Sequence, residues 1–194
     1  DSMAEVLILG FALFVNWPLP LTALMILWIN LISDGLPAVA LTLDEGPEHN
    51  VAKQSQTRIL LDEKVLGLIV SVSIVKALSA LLIFKTVFVQ TGNLPVAQTA
   101  AFVSMGVASL LSVIVFGSFP KPLSSGGLPG KGVWMSVMIG LILLLIAVYL
   151  PVVAGILNSA PVSIDIWKLA LGGGLAVILT IEFVKYVLSF NRFR

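Results

Sequence analysis

The chain has 194 residues, 58% hydrophobic and 11% charged, with a formal net charge of +1 and a mean hydropathy of +1.08. A soluble domain carries about 25% charged residues to cover its surface, so this composition excludes an ordinary soluble globular protein and points to a membrane protein. Lys and Arg form no cluster or stripe, so there is no ground to expect a nucleic-acid partner; cysteine is absent, which excludes disulfides and thiolate metal sites.

In chain order the apolar runs give six segments: Met3–Asn16, Leu21–Leu43, Val65–Val89, Ala97–Gly117, Val133–Leu150 and Ile166–Leu188. Five reach or approach the ~20 residues that cross a bilayer as helix. The first has 14 residues and opens abruptly on Asp1, Ser2 and Glu5. Its simplest reading is a spanning helix cut near its middle; the alternative, an interfacial helix, lacks the basic polar face such helices carry. No basic n-region and no initiator Met precede it, so residue 1 is expected not to be a natural start. The expected fold is an all-α integral membrane bundle of five full transmembrane helices plus a truncated first one, with the lipid bilayer as its partner.

Charge sets the expected topology. The stretches 44–64, 118–132 and the C-terminal tail hold Lys53, Arg58, Lys64, Lys121, Lys131, Arg192 and Arg194, whereas 16–20, 90–96 and 151–165 hold no Lys or Arg. Positive charge marks the first set as cytosolic. Trp17, Trp134 and Trp167 fall near the expected interfaces, where amphipathic rings prefer to sit. No stretch between segments is long enough for a second folded domain.

An ionisable group deep in a span is costly and is read first as functional. Segment two runs Trp28-Ile29-Asn30-Leu31-Ile32-Ser33-Asp34-Gly35-Leu36-Pro37-Ala38. Asn30, Ser33 and Asp34 stand at i, i+3 and i+4 and share a helix face. Amide, hydroxyl and carboxylate oxygens suit a hard cation such as calcium. Pro37 has no N–H and deprives the Ser33 carbonyl of its helical partner, while Gly35 lowers the cost of unwinding there. Broken helices with freed carbonyls are one way to build an ion site inside a membrane.

Glu5 joins this set by simple length. From Pro18 in the connecting turn, Glu5 is 13 residues back and Asn30 12 forward. At 1.5 Å per residue both lie ~18–20 Å from the turn, with Asp34 ~6 Å further toward the cytosol. Two carboxylates at shared depth repel unless a cation or protons sit between them, which suits cation/proton exchange. A polar cluster that only holds helices together is the competing reading; the paired carboxylates and the Gly/Pro break exceed what that requires.

The segment-two motif resembles the sixth transmembrane helix of the calcium-transporting P-type ATPases. Ser2-Met3-Ala4-Glu5 resembles the cation-binding turn of their fifth helix, and Ile181-Glu182-Phe183-Val184-Lys185 the exit of their tenth. The resemblance covers 1–194 as the C-terminal transmembrane domain, helices five (partial) to ten, with helices one to four and the soluble domains lying elsewhere. It implies that Glu5, Asn30 and Asp34 are calcium ligands, with Ser33 supplying a hydroxyl and Ser2 a weaker contact in place of an Asn. Ser109 falls where the two-ion pumps place a ligand Glu. The changes at Ser2 and Ser109 imply one ion per cycle, as in the plasma-membrane and secretory-pathway pumps, and a location in the plasma membrane. The phosphorylation, actuator and helix-four motifs are not in this chain, so magnesium-ATP would be used only by the full-length protein, through the missing N-terminal part of the same pump. A sodium/potassium-type pump is a second reading, although those usually carry an acidic residue at the position of Asn30. A stand-alone six-helix channel or secondary transporter is a third.

Other polar residues read as structural. Lys76, mid-way along segment three, is expected to reach an interhelical partner or snorkel along a cleft, with a built-in counter-charge as the alternative. Lys85 is expected to snorkel, Asp165 and Lys168 to be interfacial, Glu182 and Lys185 to pair, and His49 to be solvated. Gly172-Gly173-Gly174 reads as close helix packing.

Overall fold

The computed structural model describes residues 1–36, 63–117 and 130–190, with side chains described except at 34, 63–65 and 187–190. The cytosolic-loop assignments, the C-terminal tail and His49 fall wholly or largely outside these residues.

Every described element is helical: α1 (Ser2–Phe14), α2 (Ala23–Asn30) running into a π-helical turn (Leu31–Gly35), α3 (Glu63–Thr91), α4 (Leu94–Gly117), α5 (Lys131–Tyr149), α6 (Pro151–Leu157) and α7 (Ile164–Phe190). In hydrocarbon a backbone N–H or C=O has no water to bond, so helices that satisfy their own groups are what the apolar runs can form. Four helices, over Leu66–Thr91, Leu94–Phe116, Lys131–Tyr149 and Ile164–Tyr186, are long and apolar enough to cross a membrane. Segment two is described only as far as Leu36.

The fold is an all-α bundle with its apolar surface outward. Val6, Phe14, Leu27, Leu82, Val89, Leu179 and Phe183 are each at least 64% exposed, as suits side chains facing lipid. The centre is α4, whose spanning window is 78% buried against 28–44% for the other three. Thr99 through Val103 and Met105 are buried on all sides, the pattern of a helix surrounded by others. α4 packs on α3, α5 and α7, and α1 leans on α3. Small residues permit the close approaches. A Cβ on Gly174 would stand 2.5 Å from Leu111 Cδ1, and one on Gly173 3.1 Å from Ser79 Cβ, whereas Gly172 meets nothing within 4 Å. Two of the three consecutive glycines are thus helix contacts.

The α1–α2 hairpin depends on how α1 stops. Asn16 is left-handed (φ 54°), the Asn16 N–H bonds Leu13 O (3.2 Å) and the Trp17 N–H bonds Ala12 O (2.8 Å). This paired closure satisfies the last carbonyls of the helix. Thr22 then starts α2, its hydroxyl accepting from the Met25 N–H at 3.2 Å.

The stretch 151–165, read from sequence as plain connection, contains α6. Pro151 at its first turn is preset for a helix, and Asn158 (φ 56°) ends it with the Ser159 N–H on Ala154 O at 2.9 Å. At this end of the bundle side chains bind the connections together. Gln98 donates to Leu19 O (2.9 Å), Ser159 Oγ to Ala147 O (2.6 Å), and Thr99 Oγ accepts from the Ala160 N–H (2.8 Å) while donating to Pro95 O (2.8 Å). Lys85 lies 5.3 Å from the Trp17 ring centroid, so its ammonium has an aromatic partner as well as the interface.

Gly174→Leu is expected to lower stability by about 1–3 kcal/mol through overpacking against Leu111, and Gly172→Leu to be near neutral. Thermal unfolding in detergent measures both; equal effects would remove Gly174 from the packing argument.

Candidate cation site

The hairpin brings Glu5 and Asn30 together at the depth that chain length predicts. Asn30 Nδ2 donates to Glu5 Oε2 at 3.3 Å, and Glu5 is 5% exposed. The neighbours are apolar: Ala4 and Ile8 on α1, Ile29 and Ile32 on the other helix, all at most 1% exposed. The amide is committed on one side only. Asn30 Oδ1 is buried and accepts no hydrogen bond among the described residues. An acceptor left so costs about 1–3 kcal/mol, which a bound cation would recover.

The helix break takes a definite form. Instead of unwinding, residues Leu31–Gly35 widen into a π-turn in which the Leu36 N–H bonds Leu31 O. A π-turn inserted in a helix redirects the side chains it carries and frequently marks a functional site. Ser33 lies in it, 6% exposed. The backbone of Asp34 lies there too, and its side chain is outside the description. Ser2, by contrast, is exposed on α1 beside Met3, Val6 and Leu7 and is not brought to the Glu5–Asn30 pair. Among the described residues no three His, Cys, Asp or Glu side chains gather as a metal cluster.

What holds the π-turn is packing that sequence reading overlooked. Trp28 Nε1 donates to Leu143 O of α5 at 3.3 Å. A Cβ on Gly140 would stand 3.0 Å from Ile32 Cγ2 and 2.4 Å from Leu110 Cδ2, so the bare glycine admits both side chains. The only sequence signal was a glycine inside an apolar helix, which by itself does not name its neighbours.

A second polar cluster sits one turn along α1. Lys76 of α3 ion-pairs with Asp1 and donates to Ser109 Oγ of α4 at 3.4 Å; Ser109 in turn donates to Asp1 Oδ1 at 2.9 Å. The interhelical partner expected for Lys76 is thus Asp1, with the two side chains 5% and 9% exposed. Toward the far end of α7, Lys185 Nζ donates to Val115 O (2.7 Å) and pairs with Glu182 (3.2 Å), and Lys168 pairs with Asp165 on the exposed surface at 2.9 Å.

These features define a multi-pass helical membrane protein with Asp1, Glu5, Asn30 and Lys76 inside the bundle. The chain belongs to the family described as "Cation transporting ATPase, C-terminus", whose model matches residues 18–187. It is similar to the calcium-transporting ATPase of Bacillus subtilis (strain 168), 30% identical over 176 residues, covering 89% of this chain and 20% of the relative. It is also similar to the Homo sapiens calcium-transporting ATPase type 2C member 1, 26% identical over 190 residues (96% of this chain, 21% of the relative). A shorter likeness, 42% identical over 50 residues, is to the P-type sodium-transporting ATPase4 of Toxoplasma gondii, covering 26% of this chain and 4% of that protein. The chain spans about a fifth of the length of the two calcium-transporting relatives.

Glu5→Gln and Asn30→Ala, combined in a double-mutant cycle, are expected to show a coupling of about 0.6–1.7 kcal/mol, the range of interhelical polar contacts in membranes. Unfolding in mixed micelles measures it, and additive effects would break the pair.

Proposed function

We propose that this chain is the cation-binding membrane domain of an ATP-driven pump that exports calcium. The observation that carries the reading is the buried Glu5–Asn30 contact, with Asn30 Oδ1 open to a further partner, beside the π-turn bearing Ser33 and Asp34. Carboxylate, amide and hydroxyl oxygens are hard-cation donors, and calcium takes 6–8 of them. Glu5, Asn30, Ser33 and Asp34 supply part of that number. The rest come from outside this chain, where the resemblance places the helix-four carboxylate and carbonyls. Magnesium-ATP and the phosphorylation chemistry belong to the same missing part.

The cargo is one ion per cycle, with proton counter-transport. Emptied of calcium, Glu5 and Asp34 are two carboxylates in a low-dielectric site, and protons relieve their repulsion. The pump resides in the plasma membrane, with 44–64, 118–132 and the C-terminus on the cytosolic side. Membership of a pump family favours this over a stand-alone channel or secondary transporter. The likeness to a sodium-transporting ATPase over 50 residues supports sodium as the second cargo to test.

In the full-length protein, Asp34→Asn is expected to abolish calcium-dependent phosphoenzyme formation from ATP. Asn30→Ala is expected to lower apparent calcium affinity about tenfold or more, since a hydrogen bond or ligand contact to a charged group contributes about 1.5–3 kcal/mol. Phosphoenzyme that responds to sodium and not to calcium transfers the site to the second reading. In proteoliposomes, calcium uptake is expected to alkalinise the lumen; uptake with unchanged lumenal pH removes the proton arm.

A further inference from the structure

Asp1 precedes α1 as its N-cap, and its main-chain oxygen accepts from the Ala4 N–H (2.9 Å) and the Glu5 N–H (3.3 Å). The Asp1 side chain turns into the bundle to Lys76 of α3 and Ser109 of α4. The three side chains close a triangle: ammonium to carboxylate, ammonium to hydroxyl, hydroxyl to carboxylate. Ser109 is 1% exposed and Lys76 5%.

Asp1 and Glu5 are four residues apart on one helix, about 6 Å along its axis, and share a face. Without the lysine, a carboxylate and a hydroxyl would stand next to Glu5 as a second set of oxygen donors, of the same kind as the first. An isolated buried carboxylate is costly and recruits a cation or a proton. The ammonium of Lys76 is that cation, covalently attached and placed from a third helix.

We propose that Lys76 is a tethered cation: it occupies the Asp1–Ser109 oxygens that would otherwise take a second transported ion, and so limits the membrane site to one divalent cation per cycle. This rests on the reading of Glu5, Asn30 and the π-turn as the cation site. It assigns Lys76 a specificity-determining role by position and charge.

The test is equilibrium binding of radioactive calcium to the purified full-length pump, scaled to the phosphoenzyme it forms from ATP. The parent is expected to bind one ion. Lys76→Gln leaves Asp1 and Ser109 open, so the ratio is expected to rise toward two with a steeper calcium dependence. Asp1→Asn/Lys76→Gln, which removes the carboxylate as well, is expected to return to one, and Lys76→Arg to stay at one. A Lys76→Gln pump that forms phosphoenzyme and still binds one ion overturns the proposal. If Lys76→Gln yields no folded pump, Asp1→Asn decides. It releases the ammonium toward Glu5, so apparent calcium affinity is expected to fall about tenfold at an unchanged ratio; an unchanged affinity overturns the proposal. A parent that binds no calcium sinks the underlying cation-site reading instead, and a parent that binds two sinks the one-ion reading together with this one.

Discussion

A bilayer offers a polar group no water, and the architecture follows from that shortage. Each backbone N–H and C=O has to find its partner within the protein. Long helices answer this along their length, which is why the four spanning windows are uninterrupted. The helix ends are harder. Asn16 and Asn158 adopt left-handed conformations that fold the chain back onto its own last carbonyls, and Gln98, Thr99 and Ser159 attach the connections to neighbouring helices. The result is a bundle whose closed end is bound by hydrogen bonds and whose described helices turn large apolar side chains outward.

The same shortage makes the interior polar groups informative. With no hydrophobic drive to bring helices together in lipid, contact depends on shape and on polar pairs. α4 supplies the shape. It is buried on every side, and Gly140 and Gly106 of its neighbourhood accept Leu110, Ile32 and Leu144 at distances that a Cβ would not allow. Through Ile32 this packing reaches the π-turn, and through Trp28 and Leu143 it grips the helix that carries it. The turn is therefore braced from behind by α4 and α5. A π-turn without such bracing would relax toward the regular α-helix.

Much of this was legible in the sequence, for identifiable reasons. Hydropathy marked the helices because the spans are long and the charges few. Counting residues from Pro18 placed Glu5 opposite Asn30 because a tight hairpin turns residue number into depth, and the 3.3 Å contact is the outcome. The Gly35–Pro37 pair marked an irregular helix, though not that it would widen instead of unwinding. Rotation about a helix axis was less accessible. Ser2 and Glu5 are three residues apart, yet Ser2 is exposed and Glu5 buried, and the hydrophobic pattern of α1 is too uniform to tell the two faces apart. The partner of Lys76 was equally hidden, because spacing along one helix does not show that the Asp1 side chain crosses to two others.

That crossing gives the interior its charge balance. Asp1 and Glu5 are both carboxylates on one face of α1, but they have different company. Asp1 is held by an ammonium and a hydroxyl; Glu5 is met by the amide of Asn30, a weaker donor. The ammonium of Lys76 brings Asp1 a full positive charge, whereas the amide of Asn30 brings Glu5 only a dipole, so the two carboxylates sit in different electrostatic surroundings. Asp1 is thereby neutralised by a group of the chain itself. On the proposed reading, the number of ions that the bundle holds depends on how many of its carboxylates a neighbouring helix has already paired.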